Sequence, residues 1–102
     1  LDYAVAPLDV LPEIAARKGG LKIIVDSGVR RGTDVMKALA LGADFVLLGR
    51  PFMFAAALGG VPGVEHAMRI LKEELNRDMA LIGVNRLSEL NPDFLRRAPR
   101  RA

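Results

Sequence analysis

The stretch Asp26-Ser27-Gly28-Val29-Arg30-Arg31-Gly32-Thr33-Asp34 sets the tightest limit on what this chain can fold into. An apolar run, Leu21 to Val25, precedes it, and a helical run, Val35 to Leu41, follows. The run is short and β-branched, so it reads as a fully buried strand that feeds a glycine-bearing turn and then a helix. Such a unit aims the N–H groups of the turn and of the helix start at one point. An anion fits there, because those donors are unpaired and the helix dipole favours negative charge. Arg30 adds a guanidinium that can hold a phosphate in a fork; Arg31 is as well suited to solvent. A second buried strand, Phe45 to Leu48, delivers Gly49-Arg50-Pro51. Pro51 suits the first turn of a helix, Gly49 leaves room for a close ligand, and Arg50 is a further cation. Two successive strand ends, each with a glycine and an arginine, predict two halves of one phosphate grip.

The rest of the chain alternates in the same way. Pro7 to Lys18 has Leu8, Leu11, Ile14 and Ala15 at helical spacing, with Gly19 and Gly20 to stop it. Pro12 argues for a start nearer Val10. Thr33 or Gly32 begins the next helix, with Thr33 the better cap, and Gly42 ends it. Pro51 to Leu58 reads as a short helix closed by Gly59-Gly60. Val64 to about Ile82 reads as the longest helix, with Val64, Ala67, Met68, Leu71, Leu75, Met79 and Ile82 on one apolar stripe. Met36, Met53, Met68 and Met79 are expected in the core. Asn91-Pro92 breaks the tail after a turn around Leu87 to Leu90. Buried strands alternating with helices give an α/β class with parallel β/α units. A short extra helix after a phosphate-gripping strand is the arrangement that follows strands seven and eight of a TIM barrel. Two parallel strands cannot close a sheet, so the chain is expected to need the rest of a barrel, or copies of itself. It opens on leucine and in mid-element, which suggests a piece of something longer.

Composition removes several other classes. Hydrophobic residues make up 51% of the 102, which excludes a disordered chain. Charge or glycine breaks every apolar run well short of the roughly 20 residues a membrane span needs. With no cysteine, disulfides and thiolate metal sites are ruled out, and cytoplasm is the default compartment. The formal charge is +3, with the basic excess on Arg96, Arg97, Arg100 and Arg101. These read as a solvated tail, because no aromatic residues are interleaved to stack bases, so nucleic acid is not an expected partner. His66, the only histidine, falls inside the long helix and reads as a surface residue.

The paired motifs, with Lys37-Ala38-Leu39-Ala40-Leu41-Gly42-Ala43-Asp44 between them, resemble the C-terminal part of the FMN-dependent α-hydroxy-acid oxidase and dehydrogenase family. The resemblance runs from Leu1 to about Arg97. It implies a partial barrel: the last two β/α units of a TIM (β/α)8 barrel plus C-terminal helices. Residues 1–20 would then hold the helix after strand six, 21–42 strand seven and its helix, 43–83 strand eight with its short and long helices, and 84–102 the tail. It implies FMN as cofactor and a small L-2-hydroxy acid as substrate of the intact enzyme. It also implies cofactor contacts at Asp26, Ser27, Gly28, Val29, Arg30, Gly49 and Arg50. An acceptor at Asp26 suits a sugar hydroxyl, while the glycines and arginines suit the phosphate. In the family the catalytic histidine and the substrate arginine lie in a His-x-Gly-Arg-Gln motif followed directly by Leu-Asp. This sequence opens with Leu1-Asp2, so base and arginine are expected upstream, Asp2 and Tyr3 are expected to be structural, and the chain alone is expected to be inactive. A membrane-peripheral location stays open for the intact enzyme. Two alternatives also stay open: a non-catalytic flavin- or phosphate-binding remnant, and another phosphate-binding barrel such as an inosine monophosphate dehydrogenase.

Overall fold

A computed structural model describes residues 2–99; Leu1, Arg100, Arg101 and Ala102 lie outside the described residues. The elements run α1 (Pro7–Arg17), β1 (Ile24–Val25), α2 (Gly32–Ala40), β2 (Phe45–Val46) and α3 (Arg50–Leu81), followed by 3-10 turns at Leu87–Glu89 and Pro92–Phe94. The strands pair in parallel, Ile24 with Phe45 and Val25 with Val46. A parallel pair needs a crossover, and α2 supplies it.

α2 is the central element because it carries apolar residues on two flanks. Val35 and Ala38 join Leu11, Val25, Val29 and Ala43 in one buried cluster between the sheet, α1 and α3. Met36 and Ala40 join Met79, Val84 and Leu90 in a second, under the tail. Leu39 and Leu75 pack against both. Gly32 lets α2 approach α3 closely: a Cβ there would lie 2.7 Å from the backbone nitrogen of Leu75. At the far end of the strands, the Asp44 carboxylate accepts from the Ile23 N–H (2.9 Å), Lys18 (2.9 Å) and Lys22 (3.1 Å). The backbone donor first, then the two ammonium groups, hold the Asp44 carboxyl well below the usual carboxylate range.

Several expectations need correction. The strands are two residues each, not five and four, and they are buried on one face only. Val25 is buried, whereas Ile24 (57% exposed), Phe45 (59%) and Leu47 (53%) face outward, uncovered by the other described residues. α1 starts at Pro7, not near Val10: Pro7 sits in the first turn, and the Asp9 N–H donates to the Ala6 carbonyl. Pro12 is carried inside the helix, where it cannot donate to the Leu8 carbonyl. The cap of α2 is not Thr33. The helix begins at Gly32, and the Asp34 carboxylate turns back to accept the N–H groups of Arg30 (3.2 Å) and Arg31 (3.1 Å).

The short and long helices run as one 32-residue element, but Gly60 (φ 57°, ψ −142°) is non-helical and kinks it where Gly59-Gly60 was expected to end the first. Met36 and Met79 are core, while Met53 and Met68 are exposed. Ile82, the last residue of the expected stripe, is exposed as well, although Leu71, Leu75 and Met79 of that stripe pack inward. Tyr3, expected to be structural, is fully exposed among the described residues, and Asp2 is exposed as well.

Candidate functional site

The turn after β1 is held open by its own backbone. Ser27 (φ 85°) and Gly28 (φ 82°) both lie in the left-handed region, at ease for glycine and strained for serine. Asp26 offsets that strain: its Oδ1 accepts the Ser27 N–H at 2.7 Å. The Ser27 donor is therefore spent inside the turn rather than offered outward. Among the described residues, no acceptor takes the N–H of Gly28 or Val29. Val29 turns its side chain into the core and so anchors the turn from beneath.

The second strand end delivers the start of α3. Gly49 is its N-cap and offers no side-chain acceptor, and Pro51 occupies the first turn. The first backbone bond of the helix is Met53 N–H to the Gly49 carbonyl, which leaves the N–H groups of Arg50 and Phe52 without helical partners. Cβ atoms added at Gly28 or Gly49 would meet nothing within 4 Å, so both glycines border open space.

The two strand ends share that space. Asp26, Ser27, Gly28, Val29 and Arg30 from the first, and Leu47, Gly49, Arg50 and Pro51 from the second, line one cavity of about 290 Å³. All seven residues singled out from the sequence are among its walls. Leu47 and Pro51 were not. Leu47 was read only as a buried strand residue, although strand alternation puts it on the same side as Gly49. Arg31 is not a wall residue. Its guanidinium turns to Glu74, with Nη2 at 3.1 Å and Nε at 3.4 Å from Oε1. The other Glu74 oxygen accepts the Gly32 N–H at 2.9 Å. That backbone bond first, then Arg31, lowers the Glu74 carboxyl below its ordinary value. Nothing in the spacing of the Val64–Ile82 run marks Glu74 as a partner of a turn 42 residues earlier. His66 lies on the surface of α3, with Nδ1 3.1 Å from Arg69, away from the cavity.

The walls suit a phosphate ester. They hold two guanidinium side chains, an uncapped helix start, unpaired N–H groups and glycine clearance. The only anionic wall residue is Asp26, an acceptor fit for a hydroxyl.

The sequence profile of a family described as FMN-dependent dehydrogenase matches residues 1–97. The chain belongs to that family. FMN is the family's cofactor, and the match decides against the inosine monophosphate dehydrogenase alternative. The chain is 51% identical over 96 residues to an L-lactate oxidase of Nostoc sp., covering 93% of this chain and 26% of that protein. The flavin-binding domain of baker's yeast flavocytochrome b2 superposes with a TM-score of 0.84 at 48% identity, over 91% of this chain and 25% of the other. A structure described as monotopic membrane protein (S)-mandelate dehydrogenase superposes with a TM-score of 0.90 at 43% identity, over 94% and 26%. The chain thus spans about a quarter of the length of the relatives it matches. Among its described residues, no helix is long and apolar enough to cross a membrane.

Proposed function

We propose that this chain is the part of an FMN-dependent oxidoreductase that holds the FMN phosphate, and that the whole enzyme oxidises an L-2-hydroxy acid, such as lactate or mandelate, to the 2-keto acid. One observation carries this reading. Seven residues from two separate strand ends wall a single cavity whose donors are cationic or unpaired N–H groups. Arg30 and Arg50 would clamp the phosphate from two sides, and Gly28 and Gly49 would let it approach the backbone. Asp26, with Oδ2 free of the Ser27 bond, would accept from a ribityl hydroxyl. When bound, FMN supplies the electron acceptor for the oxidation. This chain orients it, while the base and the carboxylate-binding arginine would come from sequence preceding Leu1.

The fold reading goes with it: β1-α2 and β2-α3 as the last two units of an eight-stranded barrel. Ile24, Phe45 and Leu47 form an apolar face on the side of the sheet away from the helices. Bulky apolar residues on that face are what the interior layers of a closed barrel use.

Titration with FMN and with riboflavin tests the cradle. The chain should quench FMN fluorescence and bind riboflavin, which lacks the phosphate, at least tenfold more weakly. Arg50→Ala should remove most of that difference. Equal binding of the two flavins, or no FMN quenching at high protein concentration, refutes the reading. The chain alone should not oxidise lactate or mandelate.

A further inference from the structure

We propose that Glu74 is a positioning residue for the FMN phosphate cradle, setting the turn Asp26–Arg30 against the helix that carries Gly49 and Arg50. It rests on the cradle reading above and goes beyond it, because Glu74 is not a wall of the cavity. The cradle has two rims, and they belong to different β/α units. Two-residue strands are a weak tie between the units. Glu74 is a stronger one. It sits on α3 beyond the Gly60 kink, in the half that folds back on the helix start forming the second rim, where Glu74 shares a crevice with Pro51 and Phe52, and it grips the first rim's helix through the Gly32 N–H at 2.9 Å.

Three further contacts make the grip directional. The second Glu74 oxygen holds Arg31, which turns that guanidinium away from the cavity and leaves its neighbour Arg30 on the cavity wall. Asp34 holds the N–H groups of both arginines, so the backbone between Arg30 and Gly32 is fixed at three consecutive donors by two carboxylates. Arg30 and Glu74 also line the same 130 Å³ crevice beside Pro51, so the side of Arg30 away from the cavity is bounded by the helix that bears Glu74. Gly32 completes the arrangement. A Cβ there would meet Glu74 and Leu75 at 2.7–3.0 Å, so the N–H reaches the carboxylate only because the residue is glycine.

The test uses the 15N-labelled full chain, with Glu74→Gln and Arg31→Ala variants, read by amide hydrogen exchange and by amide shifts on addition of FMN. Glu74→Gln keeps the shape and removes the charge. It should speed exchange at Gly32 by about tenfold, weaken FMN binding about fivefold to tenfold, and leave riboflavin binding unchanged. The FMN-induced shifts at Gly49 and Arg50 should survive, while those at Gly28, Val29 and Arg30 shrink. Arg31→Ala, which spares the Gly32 bond, should change both exchange and affinity less than about twofold. The proposal is overturned if Glu74→Gln leaves Gly32 exchange unchanged. It is also overturned if Arg31→Ala does equal damage, or if Glu74→Gln speeds exchange uniformly from α1 to the tail, because a general pillar of the fold is not a positioning residue. If wild-type chain shows no FMN-induced shifts, the cradle reading fails, and the proposal with it. If wild-type shifts appear but do not depend on Glu74, only the positioning role fails.

Discussion

Gly32→Ala should be among the most damaging single-methyl changes in this chain. The added Cβ would lie 2.7 Å from the Leu75 nitrogen and 2.9 Å from the Glu74 Cβ, both well inside the 3.4 Å where ordinary contact begins. The Leu75 nitrogen is helix backbone and cannot step aside, so α2 must lift off α3 at its start. Overpacking of this kind costs about 1–3 kcal/mol. Lifting also stretches the 2.9 Å bond from the Gly32 N–H to Glu74, a part-buried hydrogen bond to a charged group worth about 1.5 kcal/mol or more. Alanine's better helix propensity returns roughly 0.5–1 kcal/mol. The net loss should be about 2–3 kcal/mol, or about 10–20 °C in Tm for a chain of this size. Urea unfolding followed by far-ultraviolet circular dichroism, with wild type and variant at matched concentration, measures it. A midpoint within about 0.3 M of wild type would refute the close approach of α2 to α3.

Gly49→Ala makes the opposite case. Its Cβ meets nothing, so stability should change by less than about 0.5 kcal/mol, while FMN quenching should fall as the methyl enters the cavity; unchanged FMN affinity would count against clearance as the role of this glycine. Asp44 and Glu74 both have lowered carboxyl pKa values in the fold, so each adds stability that is complete above the ordinary carboxylate range and is lost as pH falls through the lowered value. Asp44→Asn should therefore lower the urea midpoint at pH 7, and the gap to wild type should begin to narrow only as pH falls below the ordinary carboxylate range and go on narrowing to the most acidic pH the fold survives; a gap independent of pH would refute the charge-based account. The chain exposes 8207 Å², against about 5600 Å² for a typical monomer of its 11.0 kDa mass. Sedimentation should accordingly show self-association at micromolar concentration, and a clean monomer that binds no hydrophobic dye would contradict the exposed faces.

The order of elements and the residues brought to the cavity were legible because both rest on local chemistry. A glycine with positive φ, a proline in a first turn and an arginine beside each leave a mark within a few positions of the sequence. Gly60 kinks α3, and Gly42 (φ 106°) follows the end of α2, for the same reason. What stayed hidden depends on distance along the chain. The cap of α2 was misjudged because Thr33 is the best local candidate, yet the donors there are taken by Asp34 and, from 42 residues away, by Glu74. Type and spacing alone do not tell Arg31 from Arg30; the family resemblance singled out Arg30, and the placement of Glu74 turns Arg31 away from the cavity.

The strands carry the more instructive mismatch. The stretch Ile23 to Val25 is apolar on both of its alternating faces, and Phe45 to Leu48 is the same. A strand with one solvated face would alternate with polar residues, so the runs are written for burial on two sides. In this chain the helices cover only one: Val25, Val46 and Leu48 pack inward, while Ile24, Phe45 and Leu47 do not. The expectation of full burial was therefore wrong for the chain yet faithful to the pattern, and the difference measures how much covering structure the pattern assumes. Closing the outward face with further strands would lengthen both β1 and β2, since each now pairs on a single edge. With so little ladder between the two units, a carboxylate that ties α2 to α3 is what keeps the two rims of the cavity in register.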